Sequence, residues 1–174
     1  ARLMSILTAA REKLLVMLPV TGPSHIRSRV ETFTHAAKKA GFKHILHETF
    51  NPTDSIENLI NKSCYILEKQ NPNGIFVTNS FTYIFAQAKE RVFPDRHIPM
   101  IGYDLIQDNV YYLSAGVIDF LLSQRPFEQG YLGIMTLFRR LVLNESVQKS
   151  VLLPIDIITK ESVDNYVQHI PIFP

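Results

Sequence analysis

A chain of 174 residues, 46% apolar and 20% charged, is long enough for one domain with a sizeable core, and its composition excludes disorder. Its net charge of +2 is spread without a run of like charges, so it carries no electrostatic footprint for nucleic acid or an anionic membrane. A single cysteine, Cys64, excludes a disulfide framework, and no stretch reaches the roughly 18 to 20 unbroken apolar residues of a membrane span.

The chain opens on "ARLMSILTAARE", which lacks a signal-peptide layout. Because it starts at Ala1 within a helical pattern, the expectation is a piece of a longer protein. The first strand-length apolar run is "KLLVMLP" (13–19), followed by a helical stripe at Ile26, Val30, Phe33, Ala37 and Ala40, with Gly41 as its stop. "KHILHETF" (43–50) is next, then Asp54 with Glu57 as a capping box. The stripe beyond it is Ile56, Leu59, Ile60, Ser63 and Leu67, with Cys64 expected as an inert core thiol. "GIFVT" (74–78) precedes Phe81, Ile84, Phe85 and Ala88; "IPMIGYD" (98–104) and "VIDFLLSQ" (117–124) come next. Tyr131, Ile134, Phe138 and Leu141 mark a fourth helix, and "SVLLPIDIIT" (150–159) a sixth strand-length run. Strands too apolar for a wet face, alternating with helices, predict an α/β fold, a parallel sheet sandwiched by helices; in a flavodoxin-like order, 2-1-3-4-5, the first and third strands would be neighbours, with Arg29 and Asn79 facing each other.

In such sheets ligands bind beyond the carboxyl ends of the strands, near the point where strand order reverses. After the first strand come Gly22 and Pro23, leading to His25 and Arg29 on the helix; after the third comes Asn79. The fourth ends at Asp104, with Asp108 just beyond, and the fifth at Gln124 and Arg125. Taken singly, each has an ordinary structural role: a helix cap for Asn79, a turn for Asp104, a surface charge for Arg29, a satisfied strand end for Gln124. Together they make a polyol clamp. A carboxylate accepts from two neighbouring hydroxyls, an arginine offers a fixed fork of donors, and an amide both donates and accepts. Phe81, Tyr103 or Phe127 is placed to stack on the apolar face of a ring.

Enzyme signatures are missing. There is no phosphate loop, dinucleotide fingerprint, nucleophile elbow or zinc spacing, and the six histidines, among them His35, His44 and His47, are scattered. No enzyme activity, cofactor or metal is expected, and a small flavodoxin-like enzyme ranks behind a binding protein.

"NGIFVTNSFTYIFAQA", "IPMIGYDLI", "GVIDFLLSQRPFEQGYLGIMTLFRRLV" and "LLPIDIITKESVDNY" together resemble the lac repressor-type transcriptional regulator family and the periplasmic sugar-binding proteins that share its type I periplasmic-binding fold. The likeness extends to "KLLVMLPVTGPSHIRSRVETFTHAAKKAG" and covers nearly the whole chain. It implies two lobes joined by three crossings. Residues 1–11 would be a terminal helix of a mostly absent N-terminal lobe and 12–124 the C-terminal effector-binding lobe. Residues 125–148 would be a crossover helix of the N-terminal lobe, and 149–174 the return segment. The helix faces at Leu3, Ile6 and Leu7 and at Tyr131, Ile134 and Phe138 would then pack together or dimerise.

The resemblance also implies ligand contacts at Arg29, Asn79, Asp104 and Gln124, with His25 where small polar residues are common. Thr32 stands where the family usually has glycine. The implied function is binding of a small-molecule effector, a sugar, without a cofactor. The implied parent is a cytoplasmic, homodimeric regulator that meets operator DNA only through a headpiece outside this chain and has no membrane partner. The alternative is a periplasmic sugar-binding protein of a transport or chemosensory system.

Overall fold

The structure, a computed structural model, describes residues 1–8 and 12–168; the parts of the expected terminal helix and return segment at 9–11 and 169–174 lie outside the described residues. Strands β1 (Lys13–Pro19), β2 (His44–Phe50), β3 (Gly74–Val77), β4 (Met100–Tyr103), β5 (Phe120–Ser123) and β6 (Asp156–Ile158) form one sheet in the order β2-β1-β3-β4-β5-β6. All neighbours are parallel except β5 and β6. The expected 2-1-3-4-5 order is present, with an antiparallel edge strand added. The strand order reverses at β1, so the crevice opens between the ends of β1 and β3.

Alternation along β1 decides the two layers. Leu14 and Val16 face a cluster with Val30, Phe33 and Ala37 of α2 (Ser24–Lys39), while Leu15 and Met17 face one formed by α3 (Ile56–Gln70), α4 (Thr82–Val92) and α5 (Gln107–Ser114). The stripes predicted for these helices are the buried ones at Ile26, Val30, Phe33, Ala37, Leu59, Ile60, Ser63, Leu67, Ile84, Phe85 and Ala88. Ala40 and Phe81, at the helix ends, are half-buried, and Ile56 departs furthest. It stands 56% exposed in the first turn of α3, ahead of the stripe. The cap there also differs from expectation: Ser55, not Asp54, accepts from Asn58 N, and Asp54 pairs instead with Lys62 at 2.6 Å. Gly41 follows α2 at φ 90°, a left-handed stop that glycine adopts without strain.

Three further expectations change. Strand β2 is wet in part after all, because it is the sheet edge and leaves His47 and Thr49 exposed on one face and His44 on the other. The sixth run contracts to three residues, since Pro154 interrupts it and only Asp156–Ile158 meets β5. Helix α1 (Arg2–Leu7) is not bare: Met4 is fully buried in the cluster of Leu14, Val16 and Phe76, and a Cβ on Gly74 would come within 2.6 Å of its sulfur. Helix α6 (Pro126–Leu141), by contrast, buries none of its residues.

Candidate functional site

Arg29 lies in the second turn of α2 beside buried Val30, which holds the helix face down on the sheet and leaves Arg29 half-buried at the strand ends. Its Nη1 donates to the Thr78 carbonyl at 2.8 Å, just past β3, and its Nη2 donates to Gln124 Oε1 at 2.5 Å, just past β5. The guanidinium sits 3.9 Å from the centroid of the Tyr103 ring, itself 5% exposed. Gln124 Nε2 in turn donates to Asp104 Oδ1 at 3.3 Å. Three strand ends are thereby linked through one amide, whose orientation is set from both sides. Burial pushes the Tyr103 phenol up, so the ring under Arg29 stays neutral.

Asp104 has φ 68°, a left-handed conformation that aspartate tolerates better than most residues. Asn79 uses Oδ1 to accept from Phe81 N at 3.2 Å at the entry to α4, and its Nδ2 is free of protein hydrogen bonds among the described residues. The cap-like role and a ligand-facing role are therefore compatible in one side chain. His25 is exposed in the first turn of α2, outside this network. Of the expected aromatics, Tyr103 is covered by Arg29, Phe81 packs against Phe50 at 5.5 Å between centroids, and Phe127 is 55% exposed at the start of α6.

Arg125 takes a different part. At φ 54° it turns the chain from β5 into α6, and it donates from Nε and Nη2 to the two carboxylate oxygens of Asp156, both at 2.8 Å. Tyr166 donates to the same carboxylate at 2.8 Å and meets Ser123 Oγ at 3.0 Å; Glu128 accepts from Arg125 Nη1 at 3.2 Å. The Arg125 guanidinium, then the Tyr166 hydroxyl, hold the Asp156 carboxyl below the usual carboxylate range. Asp156 is the β6 partner of Ser123, so the pair ties the end of β5 to the start of β6. Reading the sequence missed this pair. The partners stand 31 residues apart, and only strand pairing brings them together.

Other contributors were also missed. Gly102 backs directly onto Thr82, whose side chain a Cβ would collide with; Thr82 Oγ1 donates to the Asn79 carbonyl at 3.0 Å and accepts from Tyr103 N at 3.3 Å. The glycine in "GYD" is the visible signal, but its reason is the packing of α4 on β4. Among the described residues no cluster of three or more His, Cys, Asp or Glu is placed to hold a metal ion. The site's polar groups are hydrogen-bond donors and acceptors gathered past the strand ends, which suits recognition of hydroxyls.

No family model and no curated protein sequence matches the chain. Among solved structures it resembles a protein described as a "putative LacI transcriptional regulator" from Bacteroides fragilis, at 26% identity and a TM-score of 0.82, over 95% of this chain and 58% of that one. It is also similar to an ABC transporter solute-binding protein from Agrobacterium vitis with bound D-fucose, at 22% identity and a TM-score of 0.82, over 94% and 56%. A second solute-binding protein from the same organism, bound with alpha-D-tagatopyranose, matches at 20% identity and a TM-score of 0.78, over 94% and 55%. The chain spans less than 60% of the length of each of these proteins. Its fold is that of a lobe of the type I periplasmic sugar-binding proteins.

Proposed function

We propose that this chain is the C-terminal effector-binding part of a lac repressor-type transcriptional regulator, binding a sugar non-covalently at the strand ends and performing no catalysis. The observation that carries the reading is the Arg29–Gln124–Asp104 chain, with Asn79 next along from Thr78, whose carbonyl Arg29 also engages. Arg29 and Asn79 supply donors, Asp104 accepts from hydroxyls, and Gln124 does both. The sugar makes contact in the crevice and Gln124 carries the contact to the crossing. Residues 125–148 belong to the other lobe of the parent protein, which closes on the ligand. That parent is a cytoplasmic homodimer whose DNA contacts lie in a separate headpiece.

Supporting the regulator is the 26% identity to the Bacteroides fragilis protein, above the 22% and 20% of the two sugar-bound transport proteins cited. The second reading is a periplasmic receptor for sugar uptake, favoured by the equal TM-score of 0.82 to the D-fucose-bound protein. Titration of the chain with D-fucose, D-allose and D-tagatose, followed by amide NMR, tests the sugar site. Shifts concentrated at Arg29, Asn79, Asp104 and Gln124 are the expected result, and no shift with any of them removes it. The coding sequence upstream of Ala1 separates the two readings: a helix-turn-helix segment before the other lobe supports the regulator, a signal peptide the receptor.

A further inference from the structure

Asn109 lies in the first turn of α5 and is wholly buried. A buried primary amide is retained only where its donors and acceptor are used. Its Nδ2 faces three carbonyls, Ser80 at 3.0 Å, Tyr103 at 3.0 Å and Asp104 at 2.9 Å, and its Oδ1 accepts from Tyr83 N at 2.8 Å. Ser80 and Tyr83 flank the turn that carries Asn79 into α4. Tyr103 ends β4 and Asp104 follows it. One side chain therefore ties together, from within the core, the backbones that follow two neighbouring strands.

Asp104 makes the tie specific. Its left-handed φ of 68° is uncommon outside glycine, and the carbonyl of this same residue is one of those that Asn109 engages. Thr82 adds a second stitch over Gly102, from the Asn79 carbonyl to Tyr103 N. With both in place, neither Asn79 nor Asp104 can move without its neighbour.

We propose that Asn109 is the positioning residue of the site: it touches no ligand, and it sets the separation and direction of Asn79 and Asp104. This rests on the sugar-binding reading above. A polyol clamp works only if its polar groups are held to a fraction of an ångström by packed, hydrogen-bonded support, and Asn109 is that support for two of the four groups.

The test compares Asn109→Ala and Asn109→Asp with Lys89→Met in the full 174-residue chain. Lys89 is also buried and also bonds two backbone carbonyls, Ile98 and Val117, but away from the strand ends that carry the site. All three substitutions lower thermal stability. Only the two at position 109 are expected to shift the NMR signals of the Asn79 and Gln124 side-chain amides. Only they should weaken binding of whichever of D-fucose, D-allose or D-tagatose the unmodified chain binds, by about tenfold or more. Equal effects from Lys89→Met, or unchanged amide signals in the position 109 variants, would overturn the proposal. If none of the sugars binds the unmodified chain, the sugar reading fails while the amide signals still decide the role of Asn109. If the variants do not fold, proton exchange in the unmodified chain decides: Nδ2 protons of Asn109 that exchange as fast as an exposed amide refute the brace.

Discussion

At Asp104 the backbone and the side chain make separate demands. The left-handed φ of 68° restricts the position to residues such as Asp, Asn or Gly, while the carboxylate supplies the charge that Gln124 Nε2 meets. Asp104→Asn keeps the first and removes the second. Calorimetry should show sugar affinity reduced by about 1.5 to 3 kcal/mol, the range for a hydrogen bond to a charged group, at an unchanged melting temperature. Unaltered affinity would exclude the carboxylate as a contact. At Gly102 the demand is space alone, since any Cβ collides with Thr82. Gly102→Ala should cost about 1 to 3 kcal/mol in urea denaturation, as overpacking does. A neutral result would show that α4 slides on β4 freely. The polar residues at the strand ends were legible in the sequence because each terminates an apolar run. The need for Gly102 and Asn109 was not, because Gly102 answers to a side chain, and Asn109 to backbone groups, that arrive from other elements.

Among the elements, the exit from β5 carries the clearest electrostatic signature. Asp156 titrates below the ordinary carboxylate value in the folded chain because Arg125 and Tyr166 bond its ionised form. A depressed folded-state value means that the pair contributes stability above the ordinary carboxylate pKa of about 3.9, a contribution lost as pH falls through the lowered value. Asp156→Asn should therefore destabilise the chain at neutral pH, and the difference from the unmodified chain should shrink on acidification. Urea midpoints measured from pH 7 downward would reveal this; a constant difference would mean the ion pair carries no such linkage. The element boundaries tell a parallel story. The stripes of α2, α3 and α4 were readable from 3.6-residue spacing, whereas the α3 cap fell on Ser55 because of where the chain turns, and β6 was cut short where its partner strand ends.

On the scale of the whole molecule, the bare helix stands out. Ile134, Leu137 and Leu141 of α6 are 69%, 60% and 76% exposed, and Leu152 of the return segment is 93% exposed. Contiguous apolar surface of this kind marks an interaction face. Sedimentation of this chain should show concentration-dependent association and strong binding of a hydrophobic dye, both reduced by Ile134→Glu with Leu141→Glu. A dye-silent monomer would contradict that expectation. Met4 contrasts with these residues: it docks α1 on the lobe described here, with Leu3 and Leu7 partly buried beside it, whereas α6 buries none of its residues.

The sequence by itself determined the α/β class, the main helix stripes and the polar residues that follow the strands, because hydrophobic periodicity and strand-terminal polarity are local properties of the chain. Tertiary structure alone decided which of those residues meet. Arg29 reaches Gln124 across 95 positions, Arg125 turns away from the crevice to Asp156, and Asn109 bridges two loops from a helix that carries no site residue of its own. These pairings depend on strand register and on the close approach of helix to sheet, which no local pattern encodes. Periodicity in α6 likewise revealed an apolar face, but only the fold could show that Ile134, Leu137 and Leu141 stay exposed among the described residues.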